Sequence, residues 1–202
     1  MKTMTTAALL IAGLLTGGVA AAQATVGQAA PAFSGVDTAG KAVSLDSYKG
    51  KYVVLEWVNP DCPFVKKHYD SGNMPATQKH AAAKDVVWLS VSTGGNATTD
   101  PKVASTLDSW AKEKHATPTA TVLDDGKIGR AYGARTTPHL YLIDPAGKIV
   151  YAGAIDSKPS ANSADIAGAT NYVIQAIDEA KAGKAISKPV TQPYGCSVKY
   201  AS

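Results

Sequence analysis

The sequence predicts an α/β fold in which helices flank a central mixed β-sheet. Two segments, 52–58 and 86–91, are almost continuously apolar and rich in β-branched and aromatic residues, which is typical of strands covered on both faces. A helix-compatible segment, 63–84, separates them. An apolar hairpin at 139–151 then precedes an amphipathic helix at 164–182. This alternation of strands and helices favours a layered structure with a mixed sheet.

Local signals predict the elements between these landmarks. Asn59-Pro60-Asp61 ends the first buried strand, and Ser71-Gly72-Asn73 divides the next segment into two helices. Asp100 is a good N-cap with Pro101 at the first helical position, so we expect a helix from Pro101 to about His115. The remaining predicted elements are a short hairpin or edge element at 42–45, a strand at 119–123 and a short helix or turn at 126–132.

The first 24 residues have the pattern of a secretory signal peptide. Lys2 precedes an apolar run from Ala7 to Ala22, and Ala22-Gln23-Ala24 is an A-x-A cleavage signature. The run contains three glycines and is shorter than the ~20 residues that span a bilayer, so a membrane anchor is the weaker alternative. We expect a signal peptide at 1–24, a domain at 25–186 and a tail at 187–202. The mature protein is expected to be exported, periplasmic or secreted, with no membrane association after cleavage.

The composition argues against several classes of function. The expected mature chain has 19 basic and 16 acidic residues, a net charge of +3, and its lysines are scattered. Neither a nucleic acid nor an anionic membrane is therefore expected as a partner. Cys62 and Cys196 are the only cysteines, and the four histidines show no metal-binding spacing. We expect no metal and no cofactor.

Cys62 is the strongest candidate for chemistry. It follows the strand-breaking turn and precedes Pro63, which suits the first position of a helix and makes Cys62 its N-cap. The sulfur then faces free N–H groups and the partial positive charge of the helix N-terminus, which lower the thiol pKa from about 8.5. Lys66 and Lys67 add positive charge nearby. The alternative is a buried, unreactive cysteine.

A second candidate feature is Arg135-Thr136-Thr137-Pro138, directly before an apolar strand. Proline cannot donate a hydrogen bond to a sheet, and a Thr-Pro bond can be cis. Arg135 is a permanent cation close enough in the predicted fold to stabilise a Cys62 thiolate or to orient a molecule that reacts with it; an exposed loop charge is the alternative. His68 and His139 are candidate acid–base neighbours on the same argument, or purely structural residues.

These residues together resemble the thioredoxin superfamily, and most closely its redoxin branch of alkyl hydroperoxide reductase and thiol-specific antioxidant proteins, including the peroxiredoxin-like group. Residues 26–33 are similar to the redoxin opening, and residues 51–58 to the strand before the active site. Cys62 stands at the nucleophile position, and Thr137-Pro138 matches the threonine and cis-proline beside it. The ending 194–200 resembles the C-terminal segment of the peroxiredoxin-like group.

The resemblance implies a thioredoxin fold and a thiol-dependent oxidoreductase. Cys62 would be the nucleophile, Thr137 and Pro138 would lie at the substrate site, and no cofactor would be needed. The substrate would be a peroxide or a protein thiol or disulfide, and an external thiol would serve as reductant. Asn59 departs from the pattern, because typical peroxiredoxins carry a threonine at this position.

Val65 is a second departure, because thioredoxin-type oxidoreductases carry their second cysteine there. Any thiol partner of Cys62 within the chain must therefore be Cys196. In a resolving role, Cys196 condenses with the sulfenic acid formed when Cys62 is oxidised. The alternative is a permanent disulfide, which would close a loop of more than 100 residues in a non-catalytic binding protein of the same fold.

Overall fold

The computed structural model describes residues 24–201. The predicted signal peptide, apart from its last residue, therefore lies outside the described residues. Within residues 24–201, no helix combines the length and the apolar character needed to cross a membrane.

The described residues form nine β-strands, five α-helices and two 3₁₀ helices, and the predicted α/β class is confirmed. The strands are β1 (Ser34–Asp37), β2 (Ala42–Ser44), β3 (Tyr52–Trp57), β4 (Val86–Thr93), β5 (Ala120–Asp124), β6 (Thr136–Thr137), β7 (His139–Ile143), β8 (Ile149–Gly153) and β9 (Cys196–Ser197). The α-helices are α1 (Pro63–Asp70), α2 (Asn73–Ala83), α3 (Pro101–Glu113), α4 (Lys127–Tyr132) and α5 (Tyr172–Lys181). The 3₁₀ helices are Leu45–Tyr48 and Ser163–Gly168.

Seven strands form one mixed sheet in the order β2-β1-β5-β4-β3-β7-β8. The central part of this sheet contains β3, which pairs in parallel with β4 and antiparallel with β7. The parallel β4–β5 pair extends the sheet on one side, and the antiparallel β7–β8 hairpin extends it on the other. Because β3 lies between β4 and β7, the turn that follows it starts near the middle of one edge of the sheet. This turn leads to Cys62.

The side chains of β3 alternate between two apolar layers. Val53, Leu55 and Trp57 face a layer that also contains side chains of β2 and α4. Val54 and the following Val58 face the opposite layer, which α1, α2 and α5 cover. All five side chains are at most 2% exposed. The continuous apolar run of this segment thus results from burial on both faces of the sheet, as predicted.

The single helix expected at 164–182 is wrong, because the chain forms two helices there. The 3₁₀ helix Ser163–Gly168 ends at Ala169, whose backbone is extended (φ −96°, ψ 143°). The α-helix then starts after Asn171, whose side-chain oxygen accepts hydrogen bonds from the N–H groups of Val173 and Ile174. Asparagine competes well at an N-cap because its side chain satisfies N–H groups that lack partners within the helix.

The C-terminal residues, which show no periodicity in the sequence, pack along the domain through long-range contacts. The Ala152 N–H donates to the Pro189 carbonyl (3.0 Å), and the Thr191 N–H donates to the Ala152 carbonyl (3.1 Å), so this segment continues the sheet beyond β8. Gly153 permits the close approach, because a Cβ there would overlap the Thr191 side chain and backbone. Near the end of this C-terminal segment, the Tyr200 hydroxyl donates a hydrogen bond to the Ala134 carbonyl at 2.6 Å.

Replacement of Asn171 by Ala should lower the free energy of unfolding by about 1 kcal/mol or somewhat more, the usual contribution of an N-cap side chain. The side chain also donates to Thr77 Oγ1 at 2.8 Å, so its loss affects two elements. Urea unfolding followed by circular dichroism measures the change. Asn162→Ala, which removes only the exposed cap of a 3₁₀ helix, is the matched control. Equal losses in both variants would contradict this role of Asn171.

Candidate active site

Cys62 occupies the predicted N-cap of α1, with Pro63 at the first helical position. The turn before it is held locally: Asn59 accepts the Asp61 N–H on its side chain (2.9 Å) and the Cys62 N–H on its carbonyl (3.1 Å). The Cys62 carbonyl accepts the first helical hydrogen bond, from Lys66 N–H at 2.9 Å. The Cys62 residue is only 2% exposed. Asn59, at a departure from the peroxiredoxin pattern, thus shapes the backbone that presents the sulfur.

The Thr137-Pro138 peptide bond is cis and lies against the sulfur of Cys62. The Cys62 thiol donates a hydrogen bond to the Thr137 carbonyl at 3.0 Å. The Thr137 hydroxyl is buried and has no hydrogen-bond partner among the described residues. An unsatisfied hydroxyl next to a thiol is a donor available to a thiolate. The structure therefore brings the Thr-Pro segment and Cys62 together as expected, whereas the assignment of Thr137 and Pro138 to substrate binding stays a prediction.

Cys196, in the short strand β9, also contacts the Cys62 sulfur. This strand pairs antiparallel with β6, which places Cys196 directly opposite Thr137. The Cys196 N–H points to Cys62 Sγ at 3.4 Å. Both cysteines are free thiols, and Cys196 is partly exposed where Cys62 is buried. Two residues 134 positions apart in the chain thus share one small site.

Gly195 permits this approach of the C-terminal segment. Its φ of +140° lies in a region that favours glycine. A Cβ at this position would overlap the Thr137 carbonyl group, lying 2.7 Å from its carbon, and would lie 3.3 Å from Pro138 N. Only a residue without a side chain therefore allows β9 to reach β6 in this register.

The two thiols have opposite pKa shifts. Burial opposes ionisation of Cys62, but interactions with the Cys196 side chain, the Thr137 side chain and the Val65 and Cys196 backbone N–H groups outweigh it and lower the pKa of Cys62. Burial, together with the hydrogen bond to Cys62 and its negative charge, raises the pKa of Cys196 to about 11. When the pair loses its first proton, Cys62 is therefore the thiol that ionises.

Arg135 and His139 are located near the Thr-Pro segment. The Arg135 side chain is exposed, while its backbone N–H donates to His139 Nδ1 (3.3 Å) and its carbonyl accepts from Val198 N–H (3.0 Å). Burial, followed by the charge of Arg135, lowers the pKa of His139 to about 3. The imidazole is therefore neutral near pH 7. The hydrogen bonds and ion pairs of the described residues include none between the Arg135 side chain and Cys62, so the catalytic role of Arg135 stays a prediction.

His68 belongs to a buried polar cluster that the sequence did not reveal. The cluster comprises His68, Lys67, Asp156 and Tyr194, and the side chains of the first three are at most 2% exposed. Burial lowers the pKa of His68 to about 4 even though Asp156 opposes this, so the imidazole is neutral. No sequence pattern links Lys67 to an aspartate 89 residues later, because the contact forms only when the loop after β8 folds over α1.

Glu56 is a second buried polar residue whose partners lie far apart in sequence. It interrupts the apolar run of β3, and four side-chain donors satisfy its carboxylate at 2.8–3.4 Å. The donors are Tyr69 Oη, Gln78 Nε2, Trp88 Nε1 and Ser90 Oγ. Burial raises the pKa of Glu56 although all four hydrogen bonds oppose this. The only indication of this network in the sequence was a single carboxylate, Glu56, within an otherwise apolar strand.

A groove of about 410 Å³ lies beside the site. It is lined by the residues before Cys62, by the end of β4 and the loop after it, by the N-terminal half of α3, and by Lys199 of the C-terminal segment. The lining residues closest in sequence to the cysteines are Asn59, Pro60, Asp61 and Lys199. Among residues 24–201, no group of three or more His, Cys, Asp or Glu side chains is arranged to hold a metal ion.

A cysteine at a helix start, opposite a cis-proline that precedes a central strand of a mixed sheet, is the arrangement of the thioredoxin fold. The model of the AhpC/TSA family matches residues 26–152, and the chain belongs to that family. Among proteins of curated function, none matches the sequence significantly.

Solved structures support the fold across nearly the whole described chain. An uncharacterised conserved protein from Geobacillus kaustophilus has 23% identity and a TM-score of 0.69, with 88% of this chain and 93% of that chain covered. The thioredoxin domain of a thiol-disulfide oxidoreductase from Bacteroides vulgatus has 24% identity and a TM-score of 0.53, with 71% and 96% covered. A thiol:disulfide interchange protein from Bacteroides sp. has 25% identity and a TM-score of 0.52, with 72% and 88% covered. The predicted thioredoxin fold is confirmed.

Replacement of Cys196 by Ala should raise the pKa of Cys62 toward its ordinary value, because the side-chain contact with Cys196 favours the thiolate. The alkylation rate of Cys62 in the reduced protein, followed by peptide mass spectrometry from pH 4 to 10, gives this pKa. Ser197→Ala changes the exposed neighbour of Cys196 and is the matched control. An unchanged midpoint in the Cys196 variant would show that the pair does not share the charge.

Replacement of Gly195 by Ala should displace β9 and separate the two sulfurs. Backbone strain of about 1–3 kcal/mol is expected at a positive φ, and the overlap with Thr137 adds to it. The fraction of intramolecular disulfide at a fixed glutathione ratio should fall at least tenfold. Gly183→Ala is the control, since Gly183 also has a positive φ (+68°) but open space around its Cα. Equal disulfide fractions in the two variants would contradict the role given to Gly195.

Proposed function

We propose that this protein is a thiol–disulfide oxidoreductase that cycles between a Cys62–Cys196 dithiol and the corresponding disulfide. The observation that carries the proposal is the contact between the Cys196 N–H and Cys62 Sγ (3.4 Å), beside the cis Thr137-Pro138 bond. The opposite pKa shifts of the two thiols also support it. The thiol with the lowered pKa, Cys62, would ionise and attack first, and Cys196 would stay protonated until the second step.

In the reduced protein, the Cys62 thiolate would attack one sulfur of a partner disulfide. A bond forms between that sulfur and Cys62 Sγ, the partner's S–S bond breaks, and its second sulfur leaves as a thiolate. The Cys196 thiolate then attacks Cys62 Sγ and releases the first partner sulfur. The net result is one reduced partner disulfide and one Cys62–Cys196 disulfide, which an external thiol reductant must reduce.

The charge of Cys62 would time the second step. While Cys62 is a thiolate, its hydrogen bond and negative charge help to raise the pKa of Cys196 to about 11, so Cys196 stays protonated. Once Cys62 is bonded to a partner sulfur, that negative charge is absent and this contribution is removed. Cys196 then ionises more readily, and resolution follows the formation of the mixed disulfide.

Peroxide is a second candidate oxidant, and the burial of Cys62 favours it. A residue only 2% exposed is more easily reached by a small molecule than by a protein disulfide. The Cys62 thiolate would attack one peroxide oxygen, giving a sulfenic acid and hydroxide or an alkoxide. The Cys196 thiol would then condense with the sulfenic acid, forming the disulfide and water. The family match is compatible with either oxidant.

We further propose that the protein works in an exported compartment, as the predicted signal peptide implies. An oxidising environment lets disulfides persist and supplies both oxidants and thiol partners. The groove lined by the residues just before Cys62 would receive a segment of a protein partner, and Lys199 would contact that segment.

The redox state of the pair tests the proposal directly. Equilibration of the full chain in glutathione buffers, followed by trapping and mass spectrometry, should give a Cys62–Cys196 bond with a potential above about −300 mV, the upper limit typical of structural disulfides. A lower potential would favour the structural alternative. The oxidants are then separated with the reduced protein: rapid oxidation by hydrogen peroxide indicates a peroxidase, and oxidation only by protein disulfides indicates exchange. A Cys196→Ser variant should accumulate the corresponding mixed disulfide or sulfenic acid on Cys62.

A further inference from the structure

The buried cluster of Lys67, His68, Asp156 and Tyr194 plays no part in the redox steps above, and its placement is unusual. Lys67 and His68 belong to α1, the helix that Cys62 caps. Tyr194 lies two residues before Cys196. The cluster therefore connects the helix that carries one cysteine to the segment that carries the other.

A directed chain of hydrogen bonds runs through the cluster. Asn73 Nδ2 donates to His68 Nδ1 at 2.8 Å, so the neutral imidazole has its proton on Nε2. His68 Nε2 donates to the Tyr194 hydroxyl at 3.1 Å, and that hydroxyl donates to Asp156 Oδ1. The Tyr194 hydroxyl thus uses its donor and accepts a bond from α1, which fixes the direction of the side chain.

The Tyr194 ring is also held by α1. The Phe64 ring meets it edge to face, with centroids 5.8 Å apart. The Lys67 ammonium lies 5.6 Å from its centroid, within range of a cation–π attraction. Lys67 Nζ donates to the Lys158 carbonyl (2.9 Å) and faces Asp156 Oδ2 at 3.6 Å. Burying an ion pair is costly unless hydrogen bonds compensate it, and here Asp156 also accepts a hydrogen bond from the Tyr194 hydroxyl.

We propose that this cluster is a positioning site for Cys196: through the Tyr194 hydroxyl, Asp156 and His68 hold the C-terminal segment so that Cys196 stays at Cys62 Sγ. This inference rests on the proposed redox cycle of the two cysteines. It names the residues that determine the equilibrium between the dithiol and the Cys62–Cys196 disulfide. The local concentration of Cys196 at Cys62 determines how readily the disulfide closes and how strongly it resists reduction. Tyr194, Asp156 and His68 would therefore tune the potential without touching a substrate.

Tyr194→Phe is the decisive variant, because it removes the hydroxyl and keeps the ring packing. A hydrogen bond to a buried carboxylate is among the stronger ones, so we expect the equilibrium constant for disulfide closure to fall about tenfold or more. Tenfold corresponds to a rise in the reduction potential of about 30 mV for this two-electron couple. Glutathione equilibration measures it, and dithiothreitol buffers extend the range to lower potentials.

Tyr200→Phe is the matched control, since it also removes one tyrosine hydroxyl hydrogen bond from the C-terminal segment, that to the Ala134 carbonyl. Its closure constant should stay within about twofold of the parent value. Thermal unfolding of both variants separates positioning from general stability. If Tyr194→Phe and Tyr200→Phe lose similar stability and have the same potential, the positioning role is wrong.

Asn73→Ala provides a second route if Tyr194→Phe does not fold. It leaves His68 without the donor that fixes its tautomer, so the potential should shift in the same direction by a smaller amount. An unchanged potential in a folded Asn73 variant, with Tyr194→Phe unfolded, would overturn the proposal. A parent potential as low as that typical of structural disulfides would instead overturn the redox cycle, while the comparison of variants would still decide whether the cluster positions Cys196.

Discussion

The antiparallel pairing of β9 with β6 is the contact on which the rest of the site depends. Two residues of a C-terminal segment pair with Thr136 and Thr137, and this places Cys196 against a sulfur 134 residues earlier. Gly195 makes the pairing sterically possible, and Val198 N–H extends it by donating to the Arg135 carbonyl. Such a short ladder contributes little by itself. The hydrogen bonds of the preceding residues Pro189 and Thr191 to Ala152 of β8 help to keep the segment in register.

The electrostatics of the site follow from that closeness. Two thiols within contact of each other cannot both ionise easily, and the surroundings decide which one does. Cys62 has the helix start and the Thr137 side chain on its side, whereas Cys196 lies at the end of a short strand without such donors. Val65 stands where thioredoxin-type oxidoreductases carry their second cysteine, and a cysteine from the far end of the chain lies beside Cys62 instead.

The buried carboxylates of Glu56 and Asp156, on the side of the sheet that α1 covers, differ in how their loss of hydration is compensated. Glu56 is surrounded by four neutral donors and stabilises the packing of α1, α2 and β4 on β3. Asp156 is left with one oxygen that accepts no hydrogen bond and faces two side chains of α1. A buried carboxylate with all its hydrogen bonds made stabilises the packing around it. One with an oxygen that lacks a hydrogen bond depends on the exact placement of the neighbouring charges.

The amino-acid sequence alone determined the α/β class, the strand that leads to Cys62, the N-cap position of that cysteine and the presence of the Thr137-Pro138 turn. Each of these follows from periodicity or from the stereochemistry of proline and of helix ends, which act over a few residues. The break before α5 escaped detection because the capping by Asn171 competes with a helix-compatible pattern on both sides. The tertiary structure alone decided that Cys196 reaches Cys62, that Tyr194 is anchored to α1, and that the Arg135 side chain is exposed. These depend on contacts between residues far apart in sequence, whose geometry is set by the packing of the whole domain.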